Sequence, residues 1–243
     1  MDDVFAVGAL VVVDDTAPAR WLTEGIRSSG YDVGVLIPAA FDAYARVLHP
    51  AHYQGDRVSW AEIARVNHKI AHPQMQFTRL LGYASRYRPE YRATLPGVFD
   101  EAPAVGTLPP DVAATLARTL SKHTGASGDC WFGVWEGWGS LVDAFRAHPT
   151  FPVPRRNYHL ARGPIAAAAR SVAIEPFRHQ SCSLWWPDDH AWCVATDIDL
   201  DSTYIGASAA VVEELLASPE LEVVELDVTA GIAADSDVLN PVD

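Results

Sequence analysis

The apolar positions of this chain fall in short runs whose period changes several times, and the elements they predict are correspondingly short. Residues 5–13 form a nearly unbroken, β-branched run, the pattern of a strand covered on both faces. Ala19, Trp21, Leu22 and Ile26 then fall at helical spacing, so 16–28 is expected to be a helix capped by Asp15 or Thr16 and ended by Gly30. Residues 31–37 read as a second strand closed by Pro38. Residues 41–48 fit both periods, and His49-Pro50 decides for a strand by cutting the run short. Ser59-Trp60-Ala61-Glu62 is a capping box that starts a helix. Another short helix is expected over 74–81, followed by an irregular stretch over 82–106.

In the second half, Pro109-Pro110-Asp111 opens a helix with Val112, Leu116 and Leu120 on one face. Residues 130–139, CWFGVWEGWG, alternate as a strand does. Trp131, Gly133, Trp135 and Gly137 share one face, where the glycines leave floor space beside the flat rings, and Cys130, Phe132 and Val134 share the other. Residues 149–154 read as extended, 155–160 as the next strand, and 165–174 as a short alanine-rich helix. Within 181–206, two apolar runs flank Pro187-Asp188-Asp189-His190, a hairpin signal, and one more strand follows. A helix over 208–217, capped by Ser208, and a strand over 221–228 complete the series. This order predicts an α+β fold, a mainly antiparallel sheet flanked by helices, with 1–230 as a single globular domain and 231–243 as a loose acidic tail.

Composition narrows the function classes. At 243 residues and 49% hydrophobic content the chain has enough apolar material for a continuous core. Lys and Arg number 18 against 31 Asp and Glu, a formal charge of -13, and such a surface repels phosphate backbones and anionic lipid headgroups. Nucleic-acid and membrane-surface partners are therefore disfavoured, and no run approaches the roughly 18 apolar residues of a spanning helix. Cys130, Cys182 and Cys193 lack CxxC spacing, which predicts reduced, buried thiols and a cytoplasmic protein.

Candidate chemistry is sparse. No P-loop, GxGxxG, GxSxG or HExxH pattern occurs, so no cofactor and no catalytic residue is assigned. Asp197, Asp199 and Asp201 alternate as hard-cation ligands do, but the glycine and glutamate positions of an EF-hand loop are Ser202 and Ser208. His68 and His72 have the spacing of helical zinc ligands without the intervening glutamate. No metal site is assigned, and the aspartates read as the wet face of a strand. Asp188 and Asp189 are expected to favour the protonated form of His190. What remains is an aromatic and basic set: Trp131, Trp135, Trp186 and Trp192 with Arg155, Arg156 and His159, and the turn residues Asp188 and His190. Tryptophans rimmed by arginines can hold a planar or anionic ligand, and the competing reading is that the tryptophans are core. The leading expectation is a non-catalytic binding module taking a protein partner or a small ligand on the Trp-rich sheet face. The alternative is an enzyme, a hydrolase or transferase, built on His159, Asp188, His190 and Arg155/Arg156.

At CWFGVWEGWG, PRRNYHL and LWWPDDHAWCVATDIDLDSTYIG the chain resembles a family of uncharacterised actinobacterial (hypothetical) proteins, a resemblance that implies no particular activity. Through LIPAAFDAY, the late hairpin and AAVVEELLAS it is more distantly similar to the SUKH superfamily of immunity and scaffolding proteins. That likeness implies an immunity-type role, for which an acidic surface would suit a basic toxin. The asparagine-glycine pair that the superfamily tends to carry after its proline-aromatic segment is not present.

Overall fold

The computed structural model describes residues 6–7, 9–126, 128–175 and 177–242. The expected first strand is broken into β1 (Ala6–Val7) and β2 (Leu10–Val12), which pair with each other; Phe5 and Gly8 lie outside the described residues. Helix α1 (Arg20–Gly25) is shorter than its spacing predicts because Ile26 turns to an extended conformation, with ψ 133°. Strand β3 (Ala43–Leu48) forms as the His49-Pro50 stop predicts. The hairpin β4 (Ala51–Tyr53) and β5 (Asp56–Val58) has no counterpart in the sequence reading. Its two-residue turn puts Gln54 and Gly55 at φ 53° and 91°, the geometry for which Asn-Gly is the usual signal.

Helix α2 (Trp60–Val66) begins at the capping box: the Ser59 hydroxyl accepts from the Glu62 N–H at 3.1 Å, while the Glu62 carboxylate pairs with Arg65. Next come α3 (Phe77–Leu80), α4 (Pro110–Leu120), β6 (Asp129–Trp135), α5 (Asp143–Arg146), β7 (Thr150–Val153) and β8 (Arg156–Pro164). The alanine run forms a 3-10 helix, Ile165–Ala169. The chain continues with β9 (Leu184–Pro187), β10 (Cys193–Ala195), β11 (Ser202–Ala207), α6 (Ala209–Leu216) and β12 (Glu222–Leu226). Ser208 precedes α6, but its side chain makes no capping bond.

Among the described residues, ten strands form one antiparallel sheet in the order β1-β2-β8-β6-β9-β10-β11-β3-β12, with β7 also paired to β8. The architecture is α+β, as the pattern predicts. β6 alternates as expected: Cys130, Phe132 and Val134 join Trp185, Trp192 and Ile205 under α4 and α6, while Trp131 and Trp135 pack on the opposite face with Tyr158, Leu184, Trp186 and Tyr204. A third cluster, including Trp60, Phe77 and Phe99, fills the lobe formed by the small hairpin, α2 and α3. Cys182 and Cys193 belong to opposite faces, and all three thiols are free and buried. No described helix is long and apolar enough to cross a membrane.

Two expectations fail, the first through a local cap reinforced by a distant segment and the second through distant partners alone. Residues 31–37 are no strand, because the Asp32 carboxylate accepts from the Gly34 N–H and sets up a 3-10 turn at Val33–Val35. Val33 and Gly34 then donate to Ala230 and Val228 of the C-terminal segment. That segment, expected to be loose, is pinned. Buried Asp237 accepts from His72 Nε2 at 2.7 Å and from the Gln76 N–H at 3.0 Å, and Asn240 exchanges hydrogen bonds with the backbone of Ile70.

Burying β3 on both faces traps a charge. Arg46 is 2% exposed, between the rings of Trp60 and Tyr204. It donates to Ser202 Oγ at 2.8 Å and to the Met75 and Pro73 carbonyls at 2.7 and 3.1 Å, which ties the lobe to the sheet. Removing one member of a buried charged network leaves the others unpaired, so Arg46→Ala should cost about 3–5 kcal/mol in urea denaturation. A loss below about 1 kcal/mol would show that the network carries no such weight.

His49, fully enclosed, donates from Nδ1 to the Ala104 carbonyl at 2.7 Å and accepts at Nε2 from Thr203 at 2.9 Å. Burial, opposed by Ala104 and Asp201, lowers its pKa to about 4. The unfolded chain therefore binds the extra proton first as pH falls. The His49 contribution is complete above about pH 6.5 and is lost as pH falls toward 4, a change of about 3 kcal/mol. His49→Gln should remove that part of the pH dependence of stability between pH 7 and 4; an unchanged slope would contradict the assignment.

Candidate functional site

Gly133 lies between Leu160 and Leu184 in register, and a side chain there would press on Leu184 and Phe151 at 3.1 and 3.2 Å. Its absence lets Leu184 of β9 and Phe151 of β7 pack over β6 on this face. Where the cover of that face, the 31–36 segment and the turn at Ile232-Ala233, meets the ends of β7, β8 and β10, it leaves a cleft of about 240 Å³. Leu36, Val153, Leu184, Leu200 and Ile232 supply apolar wall, and Tyr31, Arg155 and Arg156 stand among the polar and aromatic lining.

The polar groups of the cleft are unequally satisfied. Arg156 donates to both carboxylate oxygens of Asp197 and to Asp199, all at 3.0 Å, with its guanidinium 5.5 Å from the Trp135 ring centre. Burial, reinforced by Asp197, pushes the Tyr158 phenol upward, so it stays a neutral hydroxyl. Thr196 and Thr203 share a 2.7 Å hydrogen bond. Ser183 is 3% exposed, lines the cleft, and its hydroxyl has no partner. Arg155 occupies the second position of the Pro154-Arg155 turn between β7 and β8 at φ 78°, where glycine is the usual choice. It donates to the Gly30 carbonyl at 2.9 Å and covers the Tyr31 ring.

The residues singled out in the sequence are divided among several places. Arg155, Arg156 and Trp135 come together beside the cleft. Trp131 and Asp188 lie elsewhere with Arg162: the indole N–H and the guanidinium both donate to Asp188. His190 stacks on Trp21 at 4.2 Å, and these residues line an open groove of about 460 Å³. The pKa of His190 is lowered, not raised, because burial outweighs Asp189 and Asp188. Trp186 and Trp192 are completely enclosed, so both are core. Trp192 lies on the α4 side, donating to the Leu120 carbonyl. His159 faces away from Arg156, with Nδ1 on the His148 carbonyl at 3.1 Å and its ring against Phe145, so the constellation of His159, Asp188, His190 and the arginines is not assembled. The alternating aspartates are no strand face. Asp197 and Asp199 pair with Arg156, and Asp201 with Arg86 and Arg46.

Tyr158, Ser183, Thr196 and the Ile232 turn were not flagged by any sequence motif. Only their convergence in space marks them. No family model, curated protein or solved structure matches the chain.

Arg156 and Asp197 are both mostly buried, and hydrogen bonds to charged groups contribute about 1.5–3 kcal/mol. Arg156→Ala should therefore lower stability by about 2 kcal/mol and shift tryptophan emission through Trp135. Unchanged stability and emission would show the pair to be solvated.

Proposed function

We propose that the protein is a non-catalytic binding module whose ligand is a small, largely apolar molecule held in the cleft beneath Tyr31 and Arg155. The observation that carries this reading is Ser183, a buried residue that lines an apolar cavity and whose hydroxyl has no partner. Such groups ordinarily find a partner, and a ligand atom in the cleft would supply one. Size supports a compact ligand. A cavity of about 150 Å³ accommodates benzene, whereas drug-sized molecules occupy about 300–1,000 Å³. A volume near 240 Å³ suits a single ring with a short arm. Tyr158, held neutral, can donate or accept a hydrogen bond at the polar end. The free, buried thiols agree with the cytoplasmic placement expected from composition.

A thermal-shift screen of small aryl and alkyl compounds tests the reading. A ligand at about 100 times its Kd stabilises by about 2.7 kcal/mol. For a chain of this size that raises Tm by about 5–10 °C. Ala195→Phe, which places a ring in the cleft wall, should abolish the shift while the far-ultraviolet circular dichroism remains native. A hit whose shift survives Ala195→Phe would place binding elsewhere.

A further inference from the structure

A second cavity, of about 330 Å³, adjoins the first. The two share Asp199, Leu200, Ile232 and Ala233 as lining, so they lie side by side with these four residues between them. The first is mainly apolar; the second carries Arg86. Arg86 is the least satisfied cation of this region. Its Nη2 makes one long contact, 3.4 Å to Asp201, and its Nη1 is buried with no partner. Arg156, by contrast, spends its donors on Asp197 and Asp199.

The carboxylates nearby do not forbid an anion. Asp197 and Asp199 are taken by Arg156, and Asp201 stands between Arg86 and buried Arg46. The three aspartates face three guanidinium groups, those of Arg46, Arg86 and Arg156, so the cluster is balanced in charge, while Arg155 holds the Gly30 carbonyl and the Tyr31 ring. A ligand carboxylate would accept a charge-assisted hydrogen bond from the unpartnered Nη1 of Arg86. The global charge of -13 is a weaker influence at this range, because exposed charges beyond about 10 Å are screened by salt.

We infer that the ligand of the cleft is a small amphipathic carboxylic acid, its aryl or alkyl body in the apolar cavity and its carboxylate on Arg86. This rests on the proposed cleft and adds the identity of the head group. The test is calorimetric titration of the full chain with a panel of arylalkanoates and alkanoates, each beside its uncharged primary amide. The acids are expected to bind at least about tenfold more tightly than their amides, in line with about 1.4 kcal/mol per factor of ten. Arg86→Gln should erase that preference by weakening the acid alone, Arg86→Lys should retain part of it, and Ala195→Phe should remove binding of both. Equal affinity of acid and amide, or a preference that survives Arg86→Gln in a variant with wild-type Tm, overturns the head-group assignment while the cleft reading stands. If no member of either series binds the wild-type protein, the cleft reading falls and the assignment with it.

Discussion

The fold depends on a sheet that must be covered on both faces. Every residue of β3, β9, β10 and β11 is buried, so these strands persist only while the helices close one side and the N- and C-terminal segments close the other. Polar groups carried by such strands have to be satisfied internally, because an unpartnered buried donor or acceptor costs about 1–3 kcal/mol. Arg46, His49, Thr196, Ser202 and Thr203 meet that demand through one another and through the carbonyls of Pro73, Met75 and Ala104. The Ser183 hydroxyl and the Trp186 indole N–H do not, and of these two Ser183 lies where the cover is incomplete. The structural requirement and the candidate site are thus two views of one surface.

The cover on the cleft side is made from the segments with the least regular structure. The 31–37 stretch and the C-terminal segment hold each other through backbone hydrogen bonds such as Ile232 N–H to the Tyr31 carbonyl at 2.9 Å. The same segment is anchored to the lobe by Asp237 and Asn240. Burial of Arg46 couples that lobe back to β3. Sheet and tail therefore meet around the cleft, and the lobe reaches the adjoining cavity through Gln76 and Thr78.

Elements whose pattern has a single period were legible. The alternation in CWFGVWEGWG assigned both faces of β6 as far as Trp135, but the strand ends there, and Gly137, expected on the same strand face, lies in the turn that follows, against the Trp135 ring. The hairpin around Pro187-Asp188-Asp189-His190, the strand after it, α4 and α6 were equally readable. Where the outcome was set by a distant partner, periodicity was silent. Asp237 meets His72 across 165 residues, which turns an unpatterned acidic tail into fixed structure. The β4–β5 hairpin escaped notice because glutamine takes the left-handed position usually given to asparagine. At the candidate site Arg155, Arg156 and Trp135 were legible as an aromatic and basic group. Trp186 and Trp192 were not separable from them, since an indole on a strand covered on both sides has the same sequence context as one at a cleft wall. Arg86, Ser183 and Tyr158 carry no local signal at all.

The proposed ligand site is the cleft under Tyr31. Two-dimensional amide NMR of the labelled protein, titrated with the strongest binder from the acid panel, would locate the bound ligand. Saturable shifts are expected only at Ser183, Leu184, Ala195, Thr196 and the Ile232 turn, continuing to Arg86. Shifts centred instead on Trp21, Trp131 and His190 would contradict that placement.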